Sequence, residues 1–281
     1  MQKTLGSFFV FLSSFFFYMS TVSIRWARQE VVIHPAFFVF ARFLLGTLVF
    51  SGIFLIKRKR IRPVHKGYLA GRAIFNTIAV LMFFKAVHAT SSSEANILNM
   101  TYPLFIAIIS WIFLKKERNL HSYLIVFLAF IGIFLIVNPF SIHASLQSLW
   151  GLGSGIVAAI AIIFLNLSRQ YDDSDTILFF LFSSGTFFIF LLYFSVFHIP
   201  SGKELYYLGL CAINGILGQY LLTLGFRYIT AIEGGIISST RIILAAFLGP
   251  IIAQDPPSTI AGVIGAILIF LTNIYLITRK K

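Results

Sequence analysis

Long apolar runs alternate with short polar connectors along this chain, and the length of the runs is the first structural signal. A helix needs about 20 consecutive apolar residues to cross a bilayer. Because a helix satisfies its own backbone hydrogen bonds, it is an element that lipid accepts. The pattern predicts an all-α polytopic membrane protein with ten transmembrane helices. The predicted spans cover residues 5–24, 35–56, 68–87, 94–114, 120–138, 149–168, 176–198, 205–226, 231–252 and 258–278.

The composition agrees with this interpretation. Of the 281 residues, 58% are hydrophobic and 11% are charged, whereas soluble domains have about 25% charged residues. The ten spans leave no room for a soluble domain. The single cysteine, Cys211, lies in a predicted span, which excludes a disulfide within the chain and a cysteine metal cluster. We expect neither a cofactor nor a bound metal.

The net charge of +13 is distributed unevenly over the connectors. If successive spans alternate in direction, fifteen of the 22 Lys and Arg residues lie on the side of the termini and four lie on the other side. The positive-inside rule then places both termini in the cytoplasm. The charge is explained by topology and by contact with anionic lipid headgroups, so nucleic acid is not an expected partner. Three arginines remain inside the spans: Arg42, Arg72 and Arg241.

The second half of the chain repeats the plan of the first. Residues 1–146 and 147–281 hold five predicted spans each, and an odd number forces the second half to insert upside down. At an offset of 139 residues, Glu94 falls on Glu233. The connector after the fourth span is basic, whereas its counterpart after the ninth has no Lys or Arg. Inverted repeats with a site between them are a recurrent plan of secondary transporters.

Two arginines are the strongest candidates for substrate contact, because charge at membrane depth is costly and usually faces a bundle interior. Arg241 lies midway along the ninth span and shares a helix face with Ser238. The alternative is a structural salt bridge, for which Glu233 is too far along the axis. Arg42 lies two turns inside the second span, where snorkelling or helix packing is the alternative.

Other polar residues inside the spans form weaker candidates. Arg72 lies near the cytoplasmic end of the third span and is expected to snorkel to the headgroups, with Asn76 one turn further on the same face. In the fourth span, Pro103 cannot donate a hydrogen bond to the Asn99 carbonyl. The resulting kink is either a substrate-facing surface or a packing kink with amide bonds between helices. The remaining substrate-binding candidates are Asn96, Tyr102, Gln219 and Tyr220.

Glu94 and Glu233 are coupling or gating candidates, together with the kink at Pro103. Each glutamate begins a helix, where the helix dipole stabilises a carboxylate. Helix capping and proton uptake during transport are the two alternatives. Gly151 and Gly155 form a GxxxG pair at the start of the sixth span and predict a close helix contact.

Several strings resemble the EamA-type pattern of the drug/metabolite transporter superfamily. They are PAFFVFARFLLGTLVF (35–50), FFKAVHATSSSEANILNMTYPLFIAIISWIFLKKERN (83–119) and FLAFIGIFLIVNP (127–139), and in the second half GFRYITAIEGGIISS and AGVIGAILIF. The chain departs from the pattern at Gln254 and Asp255, where the family usually has a glycine and a glutamate. The resemblance implies two inverted five-helix repeats, a central cavity, alternating access and a bacterial inner or plasma membrane.

These observations favour a carrier of a small polar metabolite, either proton-coupled or an exchanger. Arg42 and Arg241 suggest an anionic or zwitterionic substrate, because a guanidinium suits a carboxylate or phosphate. A translocator of lipids or lipid precursors and a drug or amino-acid exporter of the same fold are the alternatives. An intramembrane enzyme is disfavoured, since the spans contain no HExxH and no paired deep aspartates. Membrane lipids are the other expected partners, and a homodimer is left open.

Overall fold

The computed structural model describes residues 2–58, 60–114, 120–137, 146–229, 231–256 and 259–278. These residues form helices and short connectors, with no strand among them. The helices are α1 (Gln2–Glu30), α2 (Pro35–Ile56), α3 (Lys66–Ala89), α4 (Ser92–Asn99), α5 (Tyr102–Leu114), α6 (Leu120–Val137), α7 (Ser148–Ser168), α8 (Ser174–Tyr193), α9 (Gly202–Gly225), α10 (Ala231–Ser238), α11 (Thr240–Ile252) and α12 (Ile260–Thr278), with a short 3₁₀ turn at Phe194–Val196.

Every predicted span contains helix, and two of the spans are each divided into a pair of shorter helices. Among the described residues, α1, α2, α3, α7, α8 and α9 are long and apolar enough to cross a bilayer. The fourth predicted span is divided into α4 and α5, and the ninth into α10 and α11. The protein is therefore an all-helical, multi-pass membrane protein, while the count of ten spans stays a prediction.

The division between α4 and α5 is sharper than the predicted kink. The N–H of Met100 donates to the Asn96 carbonyl at 2.9 Å and the N–H of Thr101 donates to the Leu98 carbonyl at 3.2 Å, which closes α4. A new helix begins at Tyr102, with Pro103 in its first turn, where a missing N–H costs little. The proline therefore separates two helices instead of bending one.

The closest helix pairs all join the first half of the chain to the second. Helix α1 packs along α9, α3 along α7, α2 along α8 and α6 along α12. At the α2–α8 contact, the Thr47 hydroxyl lies 3.1 Å from the Thr186 hydroxyl, and the two residues are 139 positions apart.

Two further contacts between α2 and α8 are reciprocal at the same offset. A Cβ atom added to Gly46 would lie 2.5 Å from the Phe182 ring, and one added to Gly185 would lie 2.4 Å from the Phe43 ring. Gly46 of α2 thus packs against a ring of α8, and Gly185 of α8 packs against a ring of α2. Both rings are fully buried, so neither has open space to move into.

The connectors gather at two opposite ends of the bundle. At one end, here called the Asp255 end, Arg25 pairs with Asp255 and Lys203 pairs with Glu30. The α8–α9 connector lies at this end, where Nε2 of the His198 ring lies 3.0 Å from Oε1 of Glu204.

At the other end, here called the Asp172 end, Asp172 accepts hydrogen bonds from the backbone N–H groups of Val64 and His65 at 2.8 and 3.3 Å. Lys57 pairs with Asp175 across the same connectors at 2.9 Å. This pair raises the pKa of the Lys57 ammonium, because the carboxylate stabilises its charged form. Connectors that sequence analysis assigned to opposite sides of the membrane therefore lie at opposite ends.

The outside of the bundle is apolar, as contact with lipid requires. The second half of α8 and the 3₁₀ turn expose Phe187, Leu191, Leu192 and Phe194, each at 61–68% of its surface. Large aromatic and aliphatic side chains exposed in a continuous band mark a membrane contact rather than a water-facing surface.

Candidate functional site

A central cavity of about 80 Å³ lies between the two halves of the chain. Its wall is built from α1, α2, α3, α7 and α9, together with the residues on either side of the α4–α5 and α10–α11 breaks. Seven of the nine substrate-binding candidates line it: Arg42, Asn76, Asn99, Tyr102, Gln219, Ser238 and Arg241.

Arg42 reaches the cavity from α2 and is only 2% exposed. One of its guanidinium nitrogens donates to the Gln219 side-chain oxygen at 3.4 Å. The guanidinium also lies over the rings of Phe17 and Phe84, 5.3 and 5.9 Å from their centroids. Gly215 of α9 leaves room for this side chain, since a Cβ atom there would lie 2.7 Å from Arg42 Nε. Arg42 therefore does not snorkel.

Arg241 enters the cavity from the first turn of α11 and is 5% exposed. It donates a hydrogen bond to the Asn99 side-chain oxygen. The Asn99 amide nitrogen donates in turn to Ser154 Oγ at 2.9 Å, which joins the α4–α5 break to α7. The guanidinium lies 5.7 Å from the Phe17 centroid and 5.3 Å from that of Phe83. The alternative of a salt bridge finds no partner for Arg241 among the described carboxylates.

The expectation that Arg72 snorkels to the headgroups was wrong. Arg72 is 1% exposed and lines the cavity, one helical turn from Asn76. The neighbouring residue Gly71 receives the Phe164 ring of α7 and so permits a close approach of α3 and α7. The depth of Arg72 along its span suggested a contact with lipid headgroups, but the packing of α3 in the bundle turns its side chain towards the cavity.

Several hydrogen-bond donors at the cavity are left without a described acceptor. Five buried donor atoms have no hydrogen-bond partner among the described residues: Nε of Arg42, Arg72 and Arg241, and the amide nitrogens of Asn76 and Gln219. A buried donor without an acceptor costs about 1–3 kcal/mol. The arrangement therefore favours a ligand that brings acceptor atoms.

The described carboxylates are engaged away from the cavity. Asp255 and Glu30 bind at one end of the bundle, and Asp172 and Asp175 bind at the other. No described carboxylate lines the cavity. Three buried positive charges thus face it without a described counter-ion.

Two substrate-binding candidates lie away from the cavity. Asn96 is fully buried, but its amide nitrogen donates to Thr21 Oγ1 at 3.0 Å and to the Ser92 carbonyl at 2.8 Å. Tyr220 is partly buried and its ring centroid lies 6.1 Å from that of Phe50. Both contacts serve packing between helices.

Two of the coupling and gating candidates, Pro103 and Glu94, do not line the cavity. Pro103 packs against the second half of the chain, where a Cβ atom on Gly235 would lie 3.2 Å from it. Glu94 lies in the first turn of α4 and accepts a hydrogen bond from the Ser148 hydroxyl of α7. The side chain of Glu233 lies outside the described part of the chain.

The close contact predicted for Gly151 and Gly155 is confirmed. A Cβ atom on Gly155 would lie 2.9 Å from the Leu98 carbonyl and 3.1 Å from that of Asn99. Helix α7 therefore approaches the backbone of the α4–α5 break directly, which holds Asn99 at the cavity wall.

A buried carboxylate that sequence analysis treated only as a departure from a pattern organises the Asp255 end. Asp255 accepts hydrogen bonds from the N–H groups of Ser92 and Ser93, at 3.1 and 2.8 Å, at the start of α4. It also lies 3.0 Å from Arg25 Nε of α1, and its side chain has no exposed surface. The Asp255 cluster, which consists of Asp255, Arg25, Ser92 and Ser93, joins the second half of the chain to α1 and α4 at this end of the bundle. The signal that could have found it is the scarcity of carboxylates in an apolar chain.

Comparison with known proteins agrees with the helical architecture. A model of the EamA-like transporter family matches the chain twice, at residues 4–138 and 146–278. A Helicobacter pylori protein named "Uncharacterized transporter" is 29% identical over 224 residues, covering 75% of this chain and 74% of that protein. The pseudopaline exporter CntI of Pseudomonas aeruginosa is 25% identical over 282 residues, covering 98% of this chain and 97% of the exporter.

A solved crystal structure has the same fold, with a TM-score of 0.66 at 16% sequence identity and 98% of each chain covered. The family match covers nearly the whole chain in two consecutive segments. It confirms the resemblance to the drug/metabolite transporter superfamily. The chain belongs to the EamA-like transporter family.

Proposed function

We propose that this protein is a secondary transporter that moves a small metabolite bearing an anionic group across a bacterial inner membrane. The observation that carries the proposal is the set of three buried arginines on one cavity without a described carboxylate partner. Transport proceeds by alternating access between two inverted five-helix repeats, residues 1–146 and 147–281, with both termini in the cytoplasm.

The electrostatics of the cavity support an anionic substrate. Burying an ion removes its hydration, and the cost is recovered only if a counter-ion or strong hydrogen bonds replace the water. Gln219 and Asn99 supply neutral oxygens to Arg42 and Arg241. A carboxylate or phosphate would add charge and would accept the unpaired N–H groups at the same time.

The packing supports two symmetry-related halves around the site. The reciprocal contacts of Gly46 and Gly185 place equivalent residues of the two halves against each other. The cavity holds about 80 Å³, whereas ligand pockets usually measure about 300–1,000 Å³. A metabolite therefore enters only when the two halves separate at one end, as alternating access requires.

The relatives favour transport of a small molecule, since one of them is named as an exporter of pseudopaline.

Glu94 and Glu233 are proposed to couple transport to a proton, because each lies in the first turn of a short helix beside the cavity. The proposal covers a substrate class and leaves the identity of the substrate to experiment.

Thermal stability of the detergent-purified protein tests the proposal. A ligand that prefers the folded state raises the apparent stability by mass action. We expect carboxylates or phosphates to stabilise the protein, and Arg241→Ala to abolish the effect. Arg28→Ala is the matched control, because Arg28 lies exposed at the end of α1 and bonds the His88 carbonyl.

Stabilisation by a phospholipid alone would contradict the proposal and favour a lipid translocator. Unchanged anion-dependent stabilisation in Arg241→Ala would exclude Arg241 as a ligand. A positive result leads to uptake or counterflow measurements in proteoliposomes with the stabilising compound.

A further inference from the structure

We infer that the substrate is a multivalent organic anion with at least two anionic groups, and that Arg72 determines the preference for the second group. This inference rests on the proposed function and goes further by naming the valence of the substrate and the residue that selects it. Three side chains carry it: Arg42, Arg72 and Arg241.

The three guanidinium groups come from three different helices. Arg42 and Arg72 belong to α2 and α3 of the first half, and Arg241 belongs to α11 of the second half. The guanidinium carbons of Arg42 and Arg241 lie 5.3 and 5.7 Å from the centroid of the same ring, that of Phe17. The two positive charges are therefore close to one aromatic side chain. Arg42 repels the charges of both other arginines.

The charge balance sets the minimum valence of the substrate. A monovalent anion would neutralise one of the three arginines and would leave two buried charges that repel each other. Uncompensated buried charges are strongly unfavourable. No carboxylate of the described residues lines the cavity, and a ligand with at least two negative charges would supply the compensation.

Arg72 brings an unpartnered hydrogen-bond donor to the cavity beside a second one on Asn76. Gln219 accepts a bond from Arg42, and Asn99 accepts one from Arg241. Nε of Arg72 has no hydrogen-bond partner among the described residues, and neither has the amide nitrogen of Asn76, one turn away. The pair forms an unoccupied set of donors for a second anionic group.

The apolar side chains of the cavity accommodate the carbon skeleton of such a molecule. Ala158, Ala161 and Ile162 of α7 line the cavity, and Val80 of α3 and Leu222 of α9 extend the apolar surface. These side chains offer no hydrogen bonds, so they suit methylene or methine carbons between the anionic groups. A bare inorganic anion would leave this surface without contacts.

A matched series of carboxylates tests the inference on the purified full-length protein. Butyrate, succinate and propane-1,2,3-tricarboxylate have similar skeletons and carry one, two and three carboxylates, and inorganic phosphate tests for an anion without a skeleton. The apparent dissociation constant is obtained from the dose dependence of thermal stabilisation. We expect the dicarboxylate or tricarboxylate to bind about tenfold more tightly than the monocarboxylate, because one added hydrogen bond to a charged group changes the dissociation constant by about tenfold or more.

The Arg72→Gln variant separates charge selection from binding itself. We expect it to bind the multivalent anions about as weakly as the monovalent one, while monocarboxylate binding is retained. Arg28→Gln, outside the cavity, should keep the full preference. Arg72→Lys retains the charge but loses the planar fork, so it should restore part of the preference and serves as the second variant if Arg72→Gln does not fold.

The outcomes distinguish this inference from the proposed function. Equal affinity of the wild-type protein for all valences, or an unchanged preference in Arg72→Gln, would overturn the inference and leave an anion transporter. Tightest binding of phosphate would also overturn it, because the apolar wall would then have no role. Failure of every anion to stabilise the wild-type protein would overturn the proposed function itself.

Discussion

At the scale of single residues, the site is defined by charged groups that the membrane should exclude. Arg42 and Arg241 are held by neutral partners: a side-chain amide oxygen each and the aromatic ring of Phe17, which contacts both. A desolvated cation over an aromatic ring gains about 2 kcal/mol, which is less than the cost of burying the charge. These neutral contacts hold the arginines in place but offset only part of the cost of burying their charges. The remaining cost favours the binding of an anion.

Gly215 provides the most selective test of this arrangement. In Gly215→Ala the new methyl group would meet Arg42 Cδ and Nε at 2.7 Å, so the guanidinium has to move away from Gln219. We expect the affinity for a stabilising anion to fall about tenfold with little change in the stability of the unliganded protein. Gly209→Ala, on the same helix with no atom within 4 Å of the new methyl group, is the control. Unchanged anion affinity in Gly215→Ala would show that Arg42 is not a ligand.

At the scale of elements, broken helices and reciprocal packing between the halves shape the site. The α4–α5 break places Asn99 and Tyr102 on the cavity, and Gly155 of α7 packs against the backbone of the break. The α2–α8 contact holds the halves together through two glycines and two aromatic rings. The first contact positions site residues, and the second supports the bundle around them.

Alanine at either reciprocal glycine should destabilise the bundle to a similar extent. In Gly46→Ala and Gly185→Ala the new methyl group overlaps a buried ring, and overpacking of this kind costs about 1–3 kcal/mol. Gly52→Ala is the control on α2, because a methyl group there meets no atom within 4 Å. Thermal unfolding in detergent measures the effect. A large effect at only one of the two glycines would argue against equivalent roles in the two halves.

Asp255 should control the opening of its end of the bundle. In Asp255→Asn the side chain loses its charge and one of its two acceptor oxygens, so the N–H groups of Ser92 and Ser93 compete for the remaining one. We expect faster hydrogen–deuterium exchange in residues 90–96 and a loss of about 1–3 kcal/mol in stability. Asp175→Asn, which breaks the exposed pair with Lys57, should change neither. Unaltered exchange in residues 90–96 would show that the cluster does not restrain this end.

At the scale of the whole molecule, the connectors divide the bundle into two ends of different charge. The Asp172 end carries the basic connector that begins at Lys57, together with Arg169 and Arg227. The Asp255 end has few basic residues. The positive-inside rule therefore predicts that the Asp172 end faces the cytoplasm.

Cysteine labelling in intact cells tests this orientation. The wild-type chain has one cysteine, Cys211, which is buried and should not react, so it serves as the control. Val32→Cys and Ile199→Cys place thiols at highly exposed positions of the Asp255 end, with 93% and 94% exposure. A membrane-impermeant maleimide should label both in intact cells and should label Tyr171→Cys only after permeabilisation. Labelling of Tyr171→Cys alone in intact cells would reverse the orientation.

The sequence anticipated much of the candidate site because lipid imposes a strong constraint. Arg241 lies midway along its predicted span and Arg42 lies two turns inside its own, so burial inside the bundle was the favourable alternative to lipid exposure. Depth gave no such guidance for Arg72, which lies close enough to a span end to reach the headgroups. Asn96 and Asn99 illustrate the second limit: three positions apart on a helix, they face different neighbours, and only packing decides which one meets the cavity.

The sequence by itself determined the class of this protein: helical apolar segments, their approximate bounds, two related halves of chain and the family. These properties follow from the length and order of apolar runs, which act locally along the chain. The tertiary structure decided which helix faces turn inward, that Pro103 separates two helices, and that Asp255 binds the start of α4. The physical reason is that these outcomes depend on contacts between residues such as Asp255 and Ser92, 163 positions apart, and no local pattern specifies such contacts.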